Sequence, residues 1–179
     1  MKIRELFENE ESMLRGLTWY HGGGDLTKFD MRFIGSGENN HILGRGIYFI
    51  NDRAHAEMYT RYAKTAEKYI YEVQLRITGH AYDAIVKMDD GTRSAFEYIA
   101  RELGLSSASE LYDTPGHSTL KHGRGLIGGL FNIAGDQKAF ELLKKYKIQA
   151  SYEKIEPGLY EIAVFDPSII VIKNKIRIE

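Results

Sequence analysis

Residues 69–77 alternate, with Ile70 the one exception. Tyr69, Tyr71, Val73, Leu75 and Ile77 share one parity, and Glu72, Gln74 and Arg76 share the other. Successive side chains of a strand point to opposite faces, so this period of two predicts a strand with one apolar and one mostly polar face. A chain that contains such a strand is committed to a sheet. Aromatic and β-branched runs at 17–21, 46–50, 148–152, 160–165 and 169–178 predict further strands near both ends, with a short one at 81–86.

Between them the apolar period becomes helical. Phe96, Ile99, Ala100 and Leu103 form one stripe over 92–103, after the turn Asp89-Asp90-Gly91. Phe140, Leu143 and Tyr146 form another, on a helix to residue 145 for which Asp136 is the expected cap. Asn51 or Asp52 can N-cap a helix through about residue 66. A helix over 2–15 carries Ile3, Leu6, Phe7, Met13 and Leu14 at helical spacing and is stopped by Gly16. A short helix is expected over 107–112, and the glycine-rich run to residue 130 shows no clear period. Strands at both ends with helices between them predict an α+β domain, not a parallel βαβ fold. The 179 residues read as one domain with an N-terminal helix (1–16) and a helical insertion (90–147).

Charge and composition exclude several function classes. With 24 basic and 25 acidic residues, no global charge draws the chain to nucleic acid or an anionic membrane. The lack of cysteine excludes disulfides, thiolate nucleophiles and cysteine-ligated metals together. No apolar run reaches the roughly 18 residues of a membrane span, and the charged N-terminus contains no secretory apolar region. No membrane partner is expected, and the expected compartment is the cytoplasm, of the producing cell or of a host or target cell.

Three weaker signals carry less. Gly123-Arg124-Gly125-Leu126-Ile127-Gly128 spells the dinucleotide fingerprint, but no predicted strand precedes it and no βαβ unit surrounds it. His117 and His122 are not spaced for one helical face and lack a third ligand, so no metal is expected. Lys173, Lys175 and Arg177 share one side of the last strand, read as the solvated outer face of an edge strand or as a partner-docking stripe.

The chemistry gathers at three places. Trp19-Tyr20-His21-Gly22-Gly23-Gly24 runs from a strand into a histidine and then into bare backbone, which lets main-chain groups approach a flat ligand; the alternative is a strand entering a plain turn. Residues 22–44, rich in glycine and asparagine and including Gly35-Ser36-Gly37-Glu38-Asn39-Asn40, read as a long loop of the kind that covers a ligand. The second place is Gly44-Arg45-Gly46-Ile47-Tyr48-Phe49. In the third, Tyr160-Glu161-Ile162-Ala163-Val164-Phe165-Asp166, the period of two puts Glu161 with Ala163 and Phe165, away from Tyr160, Ile162 and Val164. A carboxylate inside an apolar strand is costly to bury unless it lines a cleft or is paired; a strand-end glutamate reaching water is the alternative.

Taken in order, the three resemble the H-Y-E signature of the ADP-ribosyltransferase superfamily, in its poly(ADP-ribose)-polymerase or diphtheria-toxin-like branch, with small phage and bacterial members nearest. His21-Gly22, the run ending Ile47-Tyr48-Phe49, and the strand opening on Glu161 match its three motifs; Ala56 and Tyr59 fall in the helix after the second. The resemblance touches much of 17–77 and 148–172. It implies a split β-sandwich of two small sheets, with an NAD cleft between them and helices packed outside. It implies NAD as substrate, with nicotinamide stacked between Tyr48 and Tyr59 and gripped by Gly22 main-chain groups. His21 would bond an adenosine-ribose hydroxyl, and Glu161 would bond the 2′-hydroxyl of the nicotinamide ribose and stabilise the oxocarbenium as nicotinamide leaves. Glu161, His21 and Tyr48 are thus the implied catalytic set. The implied activity is mono-ADP-ribosylation of a macromolecular acceptor, protein or nucleic acid, against NAD glycohydrolysis or a non-catalytic NAD- or ADP-ribose-binding module. Two departures stand out: Ala56 replaces a serine that bonds the carboxamide in many members, and Leu159 replaces the Glu or Gln of the arginine-modifying branch.

Overall fold

The computed structural model describes residues 12–31, 43–84, 88–111 and 125–178. Most of the expected N-terminal helix, the stretch Gly35 to Asn40, His117, His122 and the start of the G-x-G-x-x-G run lie outside the described residues.

The fold is α+β. Seven strands, β1 (Trp19–Gly23), β2 (Ile47–Ile50), β3 (Lys68–Leu75), β4 (His80–Asp83), β5 (Ile148–Glu156), β6 (Leu159–Val164) and β7 (Ile170–Ile178), make one mixed sheet in the order β4-β5-β6-β2-β1-β3-β7. Every ladder is antiparallel except β4 with β5. That parallel pair is joined through the helices α2 (Asp90–Glu102), α3 (Leu126–Ala134) and α4 (Asp136–Lys145), as parallel neighbours need a long crossover. The remaining helix, α1 (Arg53–Tyr59), follows β2. Among the described residues no helix is long and apolar enough to cross a membrane.

Two small sheets were the expectation, and hydrogen bonding instead runs through all seven strands. The join is thin: β1 meets β2 at the single pair Tyr20↔Ile50, whereas β1 and β3 share five pairs from Trp19↔Val73 to Gly23↔Tyr69.

One face of the sheet buries Trp19, Phe49, Tyr71, Val73, Leu75, Ile162 and Val164 with Phe29 and Leu14. The buried Trp19 indole donates to the Leu14 carbonyl at 3.1 Å and pins the helical residues 12–16 to β1. The other face carries two separate patches. Ile50 and Leu159 pack against Ala56 of α1, while Ala163, Phe165 and Tyr82 are covered by Phe96, Ile99, Leu130, Leu142 and Leu143 of the insertion helices. Tyr71, on the alternating strand, is wholly buried, and its hydroxyl donates to the Gly24 carbonyl at 2.8 Å.

Boundaries moved for local reasons. Asp52 caps α1 by accepting from the His55 N–H, but the helix ends at Tyr59 and tightens into a 3-10 turn, Thr60–Tyr62, instead of reaching residue 66. Asp136 is the first residue of α4, not its cap; Gly135, at φ 73°, takes that position and is the whole connection to α3. Helix α3 falls in the stretch that showed no clear period, because Gly128 and Gly129 interrupt its apolar residues. The 107–112 helix is a 3-10 turn, Ala108–Leu111. Strand β5 continues four residues past 152, into a two-residue turn at Pro157 and Gly158. Strand β7 is an edge strand: Lys175 pairs with Asp25 and lies 4.3 Å from the Tyr69 ring centroid, and Arg177 pairs with Glu67 at 3.0 Å.

Candidate functional site

The thin join between β1 and β2 is where the motif residues meet. Asn51 N–H donates to the Tyr160 carbonyl at 3.1 Å, so Asn51 faces β6 and, by the alternation of an antiparallel ladder, Ile50 and Tyr48 face β1. Tyr20 answers Ile50. Two residues on, Gly22 points its N–H and C=O toward β2 as well, but the β1–β2 ladder has no pair there. The Tyr48 carbonyl instead accepts from His21 Nδ1 at 2.8 Å. An imidazole has taken the place of a ladder hydrogen bond, and the Gly22 main chain borders the gap with a donor and an acceptor side by side.

That bond also fixes the histidine. A carbonyl only accepts, so Nδ1 carries the proton and Nε2 of the neutral ring is an acceptor. Burial pushes the His21 pKa below its ordinary 6.5, with the Tyr48 carbonyl acting weakly the other way. The ring is packed edge-on to Phe29 at 5.2 Å and close to Phe49 at 5.6 Å. A side chain at Gly23 would reach 3.0 Å from Nε2 and cover it.

Gly22 is required by α1. A Cβ there would lie 1.9 Å from the Ala56 carbonyl oxygen and 2.9 Å from Thr60 Cγ2, so the helix backbone rests directly on the strand. Ala56 is itself fully buried, and a larger side chain there would face the same packing. Leu159 and Ile50 fill the patch beneath α1 and meet its Ala56.

Between the α1 patch and the insertion patch stands Glu161. The parity read from the sequence holds: Leu159, Glu161 and Ala163 alternate onto this face, with Leu159 under α1 and Ala163 under the insertion helices. Tyr59, at the end of α1, donates its hydroxyl to Glu161 Oε1 at 3.1 Å across 102 positions of sequence. Burial raises the Glu161 pKa above the ordinary carboxylate value; the Tyr59 bond opposes this and the charge of Glu153 adds to it. Tyr59 is pushed up to about 12 by its own burial and by the neighbouring Glu161.

Tyr48 lies on the same face and closes the other side. Its hydroxyl donates to the Gly44 carbonyl at 2.8 Å and accepts from Leu43 N–H at 3.2 Å. Gly44 adopts φ 103°, a conformation a side chain disfavours, which brings its carbonyl back over both Tyr48 Oη and the Gly46 N–H. Burial raises the Tyr48 hydroxyl pKa. Arg45, between the two glycines, bonds Asp136 at 2.5 Å and so ties this motif to α4.

The five predicted residues therefore do not form one tight cluster. Tyr59 and Glu161 are in direct contact, with Tyr48 on the same face. Gly22 borders the gap between the strands, and His21 sits on the opposite face, linked to Tyr48 through its main chain. Glu153 was missed. It is buried at 9% exposure and stands directly opposite Glu161 on β5. The available signal was the parity of Gln149, Ser151 and Glu153 continued across a Pro157-Gly158 turn. Among the described residues no group of three or more His, Cys, Asp or Glu side chains is placed to hold a metal ion. Compared with known proteins, the chain matches no protein-family model and no curated protein.

Proposed function

We propose that this protein is an NAD-dependent ADP-ribosyltransferase of the H-Y-E type, built on a split β-sandwich whose two halves part where β1 leaves β2. The observation that carries this reading is the Tyr59–Glu161 hydrogen bond on the face shared with Tyr48, beside the main chain of Gly22. An acceptor and a donor at Gly22 complement a carboxamide, two tyrosine rings offer surfaces for a flat pyridine, and a carboxylate faces the position of developing positive charge. His21, neutral at physiological pH, accepts from a ribose hydroxyl through Nε2. The nicotinamide–ribose bond breaks with its electron pair leaving on nicotinamide, Glu161 stabilises the cationic sugar, and the acceptor adds to C1′.

A second reading, with water as acceptor, draws on Leu159. That position is apolar and packed beneath α1, so no side chain there is available to engage a protein acceptor. Labelled NAD incubated with a cell lysate separates the two. Label in a discrete protein or nucleic-acid fraction supports transfer, and label only in free ADP-ribose supports hydrolysis.

The decisive experiment is nicotinamide release by wild type and Glu161→Gln at saturating NAD. A loss on the order of 10²–10³-fold, about 2.7–4 kcal/mol, with NAD affinity little changed is expected, because the carboxylate acts on charge that exists only in the transition state. Equal rates would remove Glu161 from the chemistry and with it the enzyme reading.

A further inference from the structure

We infer that Asn51 is a positioning residue for this site: its side-chain amide stands in for two main-chain partners of β6 and so holds Glu161 against Tyr59. The inference rests on the functional reading above and names the residue that sets its geometry.

The register of β2 with β6 runs Ile47↔Val164, Tyr48↔Ala163, Phe49↔Ile162, Ile50↔Glu161. Asn51 with Tyr160 comes next, and Asn51 N–H donates to the Tyr160 carbonyl at 3.1 Å. A regular antiparallel ladder would return a bond from Tyr160 N–H to the Asn51 carbonyl. It would then join the Arg53 N–H to the Gly158 carbonyl. The main chain is no longer there to do so, because Arg53 is already the first residue of α1. The Asn51 side chain makes both contacts instead. Tyr160 N–H donates to Asn51 Oδ1 at 2.7 Å, and Asn51 Nδ2 donates to the Gly158 carbonyl at 2.8 Å. An N–H only donates and a carbonyl only accepts, so the orientation of the amide is fixed. A side-chain amide presents the same acceptor and donor as a peptide group, and the ladder continues through it while the main chain leaves. Aspartate cannot donate, serine offers a single oxygen, and glutamine is a methylene longer.

Both members of the Tyr59–Glu161 contact are placed from this residue. On one side Asp52 follows at once, caps α1 by accepting from His55 N–H, and starts the helix that ends at Tyr59. On the other side Gly158 and Tyr160 are pinned, and Glu161 is the next residue of the strand. The Tyr59 hydroxyl on Glu161 Oε1 at 3.1 Å closes the circuit. Strand β5 gives less support at the same point. Its register with β6 is irregular between Lys154 and Glu156, where it opposes Tyr160 and Leu159. The regular support for the start of β6 therefore comes from β2, through Asn51. Without the amide that end of β6 can shift relative to α1, and Glu161 shifts with it. A misplacement of about 1 Å costs on the order of 10²-fold in a reaction that needs aligned groups.

The test has two arms, both built on Asn51→Leu, which keeps the size of the side chain and removes its two hydrogen bonds. The first reads the contact in the nucleotide-free protein, from the carbon NMR shift of the Glu161 carboxyl. Tyr59→Phe is expected to move that shift in the wild-type background. In the Asn51→Leu background it is expected to leave the shift unmoved, because the contact is already lost. The second arm measures nicotinamide release and NAD affinity. Asn51→Leu is expected to lower kcat about 10- to 100-fold, with the NAD Kd within about threefold of wild type. An equal effect of Tyr59→Phe in both backgrounds overturns the inference, as does no effect in wild type. So does an unchanged kcat in an active enzyme, or a loss of NAD affinity as large as the loss of kcat, which general damage to the cleft would give. If wild type releases no nicotinamide, the functional reading fails and the NMR arm alone decides the positioning. Should Asn51→Leu not fold, Asn51→Ser keeps an oxygen for Tyr160 N–H, gives up the bond to Gly158, and is read in the same way.

Discussion

Replacing Gly22 with alanine tests whether helix α1 or the ligand is the reason for this glycine. The new methyl would sit 1.9 Å from the Ala56 carbonyl oxygen, where ordinary contact is roughly 3.3 Å or more. Ala56 is wholly buried against Ile50 and Leu159, so the oxygen cannot swing aside as the end of a side chain would. The helix has to move by about 1 Å or more, and overpacking of this kind costs about 1–3 kcal/mol. For a domain of this size each kcal/mol is about 2–4 °C in Tm, so a fall of about 2–12 °C is expected. Thermal unfolding followed by circular dichroism without nucleotide reads it directly. Gly16→Ala is the control, since a methyl there meets nothing within 4 Å and should leave Tm unchanged or slightly raised. A Gly22→Ala protein as stable as wild type but unable to bind NAD would refute the packing argument and assign the glycine to the ligand alone.

Three further outcomes follow from the same geometry. Tyr59→Phe keeps the ring but removes the donor to Glu161, so NAD affinity by calorimetry should hold while the acid limb of nicotinamide release moves to higher pH. His21 has a folded pKa below its unfolded 6.5, so its stabilising contribution is present above about pH 6.5 and lost as pH falls through the folded value; a His21→Gln variant should lose that part of the Tm-versus-pH slope. Glu161 has a raised folded pKa, so its contribution is present below its unfolded value and lost as pH rises through the folded one; Glu161→Gln should melt at the same temperature as wild type or higher at neutral pH, while turning over far more slowly.

How much was legible follows from how local each signal is. The strand at 69–77 was readable because its period of two follows the sheet's main buried face, on which Tyr71, Val73 and Leu75 lie, although Ile70 of the other parity is buried as well. The fold class was readable from the order of such segments. Helix α3 was not, because its apolar residues are interrupted by Gly128 and Gly129 and only the insertion core at Leu126, Ile127, Leu130 and Phe131 gives them a common side. The parity of Glu161 was legible from β6 alone. Its partner Glu153 was not read, since the β-favouring run stops at Tyr152, and the parity that carries Glu153 inward shows only once the strand is continued to the Pro157-Gly158 turn. The placement of His21 was likewise hidden: the ring is aimed by Tyr48's main chain, a contact between two motifs that no spacing along the chain encodes.

These failures of local reading share a location. A sheet gains from an unbroken ladder, from opposite charges across strands and from apolar residues beneath a helix. At Gly22 the β1–β2 ladder stops, at Glu161 a carboxylate is taken largely out of water, and at Tyr59 a helix ends by giving its hydroxyl to that carboxylate. The lost ladder pair and the buried carboxylate each cost the fold something that an ordinary strand residue would avoid. Elsewhere the same sheet obeys the rules closely: Lys175 covers Tyr69 and pairs with Asp25, Asp52 caps α1, and Trp19 finds the Leu14 carbonyl. Among the described residues these departures gather around one gap in one sheet, the place where the proposed function puts a ligand. On the proposed function, a carboxamide in the gap would meet the Gly22 main chain, and a developing cation beside Glu161 would make a buried carboxylate favourable. The cost in stability and the proposed gain in transition-state binding are then two consequences of the same register.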